Sequence, residues 1–298
     1  MRSASNRVRR ARPSLGTFVE ITARGDNEAR LHRAIDRAFN AIARVDHKMS
    51  FYHSDSDVSK INREAFQRKV TVDPWTWRVL RAAQRLSQQS DGIFDITTAR
   101  KLMQWNYLPR RYRNVTEGNW RDIVLEKNCA VRFRRRLVID LGGIAKGFAV
   151  DRAVSALKCA GVQSGVVNAG GDLRVFGLKS ELVHLRHPDE PMRPARAIRL
   201  RERALATSGI YFAQKRRGRA VVSPLLNGRT HRASRKLISI SVAAPVCMAA
   251  DALTKIVFVM GEKSAALLGR YHADALLLER DGTPSWMFRS TCDAPLQA

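Results

Sequence analysis

One run of residues, 140–151, constrains the fold of this chain more than any other. An acid at the end of an apolar, strand-like segment is followed by Gly142 and Gly143, and then by a helical pattern from residue 144 to about 160. Glycines let the backbone approach a ligand closely, and a helix start with Lys146 in its first turn suits a diphosphate. A purely structural strand–turn–helix corner explains the same spacing. Neither the Walker A pattern nor G-x-G-x-x-G is present.

The rest of the chain mixes strand-like and helical patterns without a regular alternation. Runs rich in β-branched residues predict strands at 17–22, 123–125, 130–133, 137–139, 165–168, 237–243 and 273–279. Helical spacing predicts helices at 27–46 after Asp26 as N-cap, at about 56–62 after a cap at Ser54 or Asp55, from Asp73-Pro74 onward, and at 247–259. This irregular mixture indicates the α+β class.

Composition limits the classes of protein to which the chain can belong. Hydrophobic residues make up 45% of the 298, enough for a large core, and the net charge is +26. That charge attracts polyanions, or else it reflects a generally basic surface. The four cysteines form no C-x-x-C pair, so we expect neither disulfides nor structural zinc. Since no long apolar stretch is present, we expect a cytoplasmic protein without a signal peptide or a membrane span.

Four further segments each carry a weak signal for ligand binding. Two are glycine turns beside an acid, at 91–97 and 168–172, which an ordinary turn or a helix cap also explains. Thr207-Ser208-Gly209 is a strand end made of small residues. Asp251, near the start of an apolar helix, either offsets the helix dipole or provides a hard oxygen ligand for a metal that bridges phosphates.

Taken in order, these segments resemble the ApbE family of FAD:protein FMN transferases. The matching motifs are Leu15-Gly16-Thr17, Met49-Ser50-Phe51-Tyr52 with Ser59 and Asn62, Asp91-Gly92-Ile93-Phe94-Asp95, the run 140–151, the turn 168–172, Thr207-Ser208-Gly209 and Ala250-Asp251-Ala252-Leu253. The resemblance implies an α+β fold, a two-lobed mixed sheet with a ligand cleft between the lobes. We expect a basic tail at 1–12, the family domain at 13–285 and a C-terminal tail at 286–298.

The resemblance also implies an activity and its ligands. Proteins of this family bind FAD with Mg²⁺ at the diphosphate, transfer FMN to a threonine hydroxyl of an acceptor flavoprotein and release AMP. The positions that the resemblance assigns to FAD are Ser50, Tyr52, Asp95, Gly142, Gly143, Lys146, Asp151, Gly170, Gly171, Ser208 and Gly209. The metal would be held by the Ala145 carbonyl and the Asp251 carboxylate, which suits Mg²⁺ because this ion prefers hard oxygens.

The chain departs from the family at the metal site. A threonine that also ligates the metal usually follows the aspartate by four residues, and here that position is Lys255. Thr254 lies one residue earlier, on nearly the same helix face, so it would ligate the metal after a small shift. Alternatively, the Lys255 ammonium occupies the site and supplies the positive charge, although it imposes no octahedral geometry.

A second departure affects the catalytic base. The family has a His-Ile-Ile-Asp-Pro-x-Thr-Gly stretch, and the corresponding positions here begin at Pro224 and place Asn227 where the aspartate stands. Asparagine takes no proton at neutral pH, so general-base assistance must come from elsewhere or be lost. His231, Asp172 and Asp251 are the candidates. We name His231 and Asp251 as the catalytic residues to test.

Two other functions compete with transferase activity. The first is a non-catalytic or weakly hydrolytic FAD-binding protein that kept the binding site and lost the chemistry, as the substitutions at Pro224, Asn227 and Lys255 suggest. The second is nucleic-acid binding, which the charge alone suggests. No zinc finger, basic recognition helix or aromatic-rich basic sheet motif accompanies that charge, so we expect no specific nucleic-acid partner. Contact with an anionic surface is compatible with it.

Overall fold

The structure, a computed structural model, describes residues 6–190, 192–209, 214–217, 220–233 and 239–289. Its helices are α1 (Glu28–Met49), α2 (Asp57–Glu64), α3 (Pro74–Gln89), α4 (Ala99–Gln104), α5 (Ala145–Cys159), α6 (Cys247–Met260) and α7 (Ala265–Arg270). Its strands are β1 (Asn6–Ser14), β2 (Thr17–Gly25), β3 (Val70–Thr71), β4 (Ile123–Glu126), β5 (Ala130–Phe133), β6 (Ser164–Ala169), β7 (Asp172–Phe176), β8 (Glu181–Arg186), β9 (Pro194–Leu200), β10 (Ala204–Gly209), β11 (Lys215–Arg217), β12 (Ala220–Val222), β13 (Ser239–Ala244), β14 (Asp274–Leu278) and β15 (Pro284–Phe288).

An eight-stranded antiparallel sheet organises the molecule, in the order β1-β2-β6-β7-β10-β13-β14-β15. Its central strands are apolar on both faces. In β14, Ala275 and Leu277 pack in the main core with the helices, while Leu276 and Leu278 pack in a second core with residues of β8 and β9. Because side chains alternate across a strand, this pattern requires cover on both faces. The combination of helices with a large antiparallel sheet confirms the α+β class.

Several predicted helix boundaries are shifted by a few residues. Helix α1 is capped by Asn27 and not by Asp26, and α2 is capped by Ser56 rather than by Ser54 or Asp55. In each case the side chain nearest the first turn accepts an N–H of that turn, and a residue one position further away does not reach. The Asp73 cap and Pro74 start of α3 are confirmed.

The predicted strand at 137–139 is wrong. No described strand pairs with it, and the Asn62 side chain binds it instead, donating to the Ile139 carbonyl at 3.0 Å and accepting from the Ile139 N–H at 2.8 Å. One amide side chain provides the two hydrogen bonds that a neighbouring strand would give. The following residue, Asp140, donates its N–H to the Ile96 carbonyl at 2.9 Å.

The sheet extends past both expected domain boundaries. Strand β1 pairs with β2 from Asn6 onward, and β15 pairs with β14 through Phe288. Residues 1–5 and 290–298 of the two expected tails lie outside the described residues, as do 234–238, which include the start of the strand predicted at 237–243. Among the helices that the structure describes, none is long and apolar enough to cross a membrane.

Candidate active site

The glycine turn at residues 140–143 is fixed from several sides. Asn62 and Ile96 hold its leading segment, as described above, and the Gly142 N–H donates to Asp140 Oδ2 at 3.1 Å. Burial raises the pKa of the Asp140 carboxyl to about 6, although N–H groups of Gly142 and Leu141 lower it. The carboxyl lies under the turn with limited access to water, and burial disfavours its charged form.

Replacing Asp140 with asparagine is expected to change stability in a pH-dependent way. Because the folded-state pKa of Asp140 lies above its unfolded value, the wild type loses stability as the pH rises from about 4 to about 6. Asparagine does not titrate and still accepts the Gly142 N–H, so D140N should be the more stable protein above pH 6. We expect a gain of about 1–2 kcal/mol there, below the full value of the shift because the residue is partly exposed. Urea unfolding at pH 4 and pH 7 measures it, and an equal effect at both pH values would contradict the assignment.

Four charged side chains, two of them buried carboxylates and two of them partly exposed lysines, form a cluster beside this turn. Lys146 Nζ, in the first turn of α5, lies 2.9 Å from Asp172 Oδ2 at the start of β7. Lys255 Nζ forms an ion pair with Asp251 Oδ1 one helical turn away in α6. Asp172 is 2% exposed and Asp251 is 0% exposed. We call these four residues the charge cluster.

The charges of the cluster act on one another. Burial and the Asp251 carboxylate raise the pKa of Asp172 to about 6, although Lys146 and Lys255 lower it. Burial lowers the pKa of the Lys146 ammonium, but Asp172 and Asp251 outweigh burial and raise it. Lys146 therefore stays charged at neutral pH, while the pKa of Asp172 lies above that of an exposed carboxyl.

Close packing of α5 against α6 brings the cluster together. A Cβ on Gly147 would lie 2.3 Å from the Cys247 carbonyl oxygen, so only glycine fits there. The Gly147 N–H donates to Asp251 Oδ2 at 3.1 Å. Since α5 has no side-chain cap at its start, the Asp251 carboxylate meets the positive end of this helix.

Asp151, expected at the cofactor, caps α6. Its Oδ1 and Oδ2 each accept at 2.9 Å, from the N–H groups of Cys247 and Met248. The Arg174 guanidinium lies 2.7 Å from Oδ1. The Asp151 carboxylate thus fixes the start of the helix that carries Asp251 and Lys255. Its contact with FAD stays a prediction.

Ser50 and Tyr52 follow the end of α1, and Tyr52 lies close enough to Asp140 to interact with its charge. Tyr52 is 57% exposed, and partial burial together with the Asp140 charge raises the pKa of its hydroxyl. Its hydroxyl donates to the Tyr107 carbonyl at 3.2 Å, and its own N–H donates to Ser50 Oγ at 3.1 Å. An exposed aromatic ring held in this way suits stacking against a flat heterocycle.

The β6–β7 turn supplies the remaining glycines. Gly170 and Gly171 have φ values of +62° and +101°, which favour glycine, and a Cβ on Gly171 would meet open space. The Gly171 N–H donates to Asn168 Oδ1 at 2.9 Å. This geometry explains the motif as a turn, and the turn also delivers Asp172 to the charge cluster.

His231 lies in a different place from the charge cluster. Its Nδ1 is 3.2 Å from Glu117 Oε1. His231, Glu117 and the buried Asp95 all line one cavity of about 690 Å³. The other lining residues include Gly92, Gly118, Asn119, Trp120 and several arginines. The Asp95 carboxylate accepts the N–H groups of Thr97 and Trp120, at 2.8 and 2.9 Å. Asp95 is therefore a cap at this cavity, and its contact with FAD stays a prediction.

The donors expected for Mg²⁺ do not fit that ion as they stand. The Asp251 oxygens are occupied by Lys255 and by the Gly147 N–H. The Thr254 hydroxyl donates to the Asp251 carbonyl at 2.7 Å and lies 2.7 Å from Ser208 Oγ. Within the described ranges, no three or more His, Cys, Asp or Glu side chains are grouped to hold a metal. Mg²⁺ stays a prediction of the resemblance.

Sequence reasoning underrated two residues of this site. Gly147 and Asp172 were visible as parts of glycine motifs, but their roles depend on packing between α5, α6 and β7. The acid that ends the second glycine turn was the available signal for Asp172, since a carboxylate delivered by a tight turn often has a partner. For Gly147, the only hint was a residue without a side chain in the first turn of a predicted helix.

Comparisons with known families and proteins match most of the chain and point to the same family. The model of the ApbE family matches residues 15–277. An FAD:protein FMN transferase of Vibrio cholerae is 28% identical over 273 residues, which covers 84% of this chain and 80% of the relative. Its counterpart from Treponema pallidum is 26% identical over 308 residues, covering 91% and 84%.

Solved structures give the same result for the fold. The ApbE protein of Thermotoga maritima superposes with a TM-score of 0.83 at 26% identity, covering 96% of this chain and 97% of that protein. The flavin transferase ApbE of Vibrio cholerae superposes with a TM-score of 0.78 at 23% identity, covering 97% and 98%.

Proposed function

This chain belongs to the ApbE family, and we propose that it transfers FMN from FAD to a threonine hydroxyl of an acceptor flavoprotein with release of AMP. The observation that carries the proposal is the charge cluster at the start of α5, with the Lys146 ammonium next to the glycine turn. A cation, backbone N–H groups and a helix start within one turn of chain suit a diphosphate. The names of the relatives support FAD as the substrate.

The proposed reaction breaks the phosphoanhydride bond of FAD and forms a phosphoester bond to the acceptor. The threonine oxygen of the acceptor bonds to the phosphorus of the FMN half, and the bridging P–O bond to the AMP half breaks. The threonine proton goes to a base, and AMP leaves with the bridging oxygen. Lys146 and the turn at Gly142 and Gly143 would hold the diphosphate in line for this step, since positioning accounts for most of the catalysis of phosphoryl transfer.

We propose Asp172 as the base in place of the family's histidine position. Its pKa of about 6 is close to the working pH, which favours a proton acceptor. Asp251 is less suited because both of its oxygens are already bound. His231 pairs with Glu117 at a separate cavity. Its participation requires the acceptor to reach both regions.

Replacing Asp172 with asparagine is expected to lower kcat by about 10²–10⁴-fold. The FAD dissociation constant should stay within about threefold, since Lys146 keeps its charge and asparagine keeps the shape. H231A should retain kcat within about threefold, because His231 lines a cavity that contains no residue of the charge cluster. Transfer assays sampled at fixed times measure kcat for both variants, and FAD titrations measure the dissociation constant. The opposite ranking would make His231 the base.

The proposal is tested by incubating the purified protein with FAD, Mg²⁺ and an acceptor that carries the family's threonine motif. Covalent flavin fluorescence on a denaturing gel, with AMP in matching amount, is the expected result. The competing function, an FAD-binding protein without transfer, predicts bound FAD with neither label nor AMP across several acceptors. An acceptor with its threonine replaced by alanine is the control. Action in the cytoplasm and contact with an anionic surface stay predictions from the sequence.

A further inference from the structure

We infer that the Lys255 ammonium takes the place of a divalent cation at Asp251, so that this chain needs no metal to bind FAD. The inference takes its substrate, FAD, from the proposed function. Its evidence for the cation comes from the contacts of Lys255 in this chain. It also explains why the Asp251 oxygens expected to bind Mg²⁺ are already occupied.

The first observation is the occupancy of the Asp251 carboxylate. The Lys255 ammonium pairs with Oδ1 and also donates to the Asp251 main-chain carbonyl at 2.9 Å, while Oδ2 accepts the Gly147 N–H. Asp251 is fully buried. Lys255 follows it by one helical turn, so the helix itself holds the ammonium against the carboxylate. A metal would have to displace this ammonium.

The second observation is the balance of charge. The cluster contains two carboxylates, Asp172 and Asp251, and two ammonium groups, Lys146 and Lys255. In the protein without FAD, a divalent cation added to it would leave a double positive charge beside two buried carboxylates that are already paired, and such uncompensated charges are unfavourable. Removing Lys255 leaves one negative charge in excess, which a cation would then neutralise.

The third observation is the position of Lys255 relative to the glycine turn. A Cβ added to Gly143 would lie 3.6 Å from Lys255 Cε, so the end of this side chain faces the turn. The Lys255 side chain is 21% exposed, which gives its ammonium access to a ligand from the solvent side. The cation therefore stands where the proposal puts the diphosphate, and an ammonium neutralises an anion without fixed coordination geometry.

Metal binding and FAD binding test the inference without any transfer assay. Mn²⁺, which prefers the same oxygen ligands as Mg²⁺, is titrated into the FAD-loaded protein and followed by electron paramagnetic resonance. FAD affinity is measured in parallel in EDTA and in Mg²⁺. The variants are Lys255→Thr, which restores the family residue, and Lys158→Thr, which removes a lysine paired with Glu202 on the surface.

We expect the wild type and K158T to bind no Mn²⁺ at this site, and their FAD affinity to change less than about twofold on adding EDTA. K255T should bind FAD about tenfold more weakly in EDTA, and Mg²⁺ should restore most of that loss. Stoichiometric Mn²⁺ on the wild type, together with an EDTA-sensitive FAD affinity, would overturn the inference. Thermal melting checks that K255T is folded, and the wild-type measurements decide the question if it is not.

The two proposals fail separately. If the wild type binds FAD without a metal but labels no acceptor and releases no AMP, the transferase proposal fails and the Lys255 inference stands. If the wild type labels the acceptor but loses its affinity for FAD in EDTA, the transferase proposal stands and the Lys255 inference is wrong.

Discussion

Replacing Asp251 with asparagine should abolish flavin transfer and destabilise the fold by about 2–3 kcal/mol. The variant leaves the Lys255 ammonium without its carboxylate, and it weakens the hydrogen bond from the Gly147 N–H. Breaking a fully buried ion pair costs about 3–5 kcal/mol, and we expect less because Lys255 reaches solvent. Urea unfolding gives the loss of stability, and the transfer assay is run well below the melting temperature.

A second buried pair provides the matched control for D251N. Arg203 lies 2.9 Å from Asp274 Oδ2, and the side chains are 12% and 4% exposed. Asp274 belongs to β14, outside the charge cluster. D274N should therefore lose stability comparably and keep transfer within about threefold. If both variants lost transfer equally, destabilisation alone would explain the effect of D251N, and Asp251 would have no special place in the site.

Gly147→Ala should be the most damaging single methyl group that can be added to this site. The new Cβ would lie 2.3 Å from the oxygen and 2.6 Å from the carbon of the Cys247 carbonyl. These are backbone atoms at the start of α6, so no side-chain rotation relieves the clash and the two helices must separate. We expect a loss of about 3 kcal/mol, at the upper end for overpacking. Transfer should fall by about 10²-fold, since displacement by about an ångström is enough.

Gly143→Ala is the contrasting variant four residues earlier. Its Cβ would have its nearest contacts at 3.6 and 3.7 Å, with Lys255 Cε and the Phe94 ring, which are ordinary van der Waals distances. Stability should stay within about 0.5 kcal/mol of the wild type. FAD affinity should nevertheless drop by about tenfold, because the methyl group covers the turn. Unchanged FAD affinity in G143A would remove the turn from the binding site.

The sequence was sufficient for the parts of the fold that local rules determine. Helix α5 followed from its glycine pair, α3 from Asp73-Pro74, and the α+β class from the irregular mixture of patterns. The segment at 137–139 misled because its residues favour a strand, while its hydrogen bonds go to a side chain, Asn62, far away along the chain. Propensity describes a residue and its neighbours, and partners so distant in sequence override it.

The site was predictable as a set of motifs but not as a set of contacts. Asp151 belongs to the most specific motif, yet its carboxylate caps α6, nearly a hundred residues further along. Lys255 could be read either as a loss of the metal threonine or as a cation in its place. The structure places its ammonium on Asp251, one turn earlier in the same helix, and the packing of α6 against α5 adds the Gly147 N–H to that carboxylate. The contact between the two helices depends on tertiary geometry, which a motif does not contain.

Intact-mass spectrometry of the acceptor, after incubation with this protein and FAD, tests the transferase account most directly. We predict that the acceptor gains the mass of FMN less one water, on the motif threonine, and that its threonine-to-alanine variant gains nothing. The D172N and D251N proteins should leave the acceptor mass unchanged in the same time. An unmodified acceptor in the presence of protein-bound, intact FAD would contradict the account.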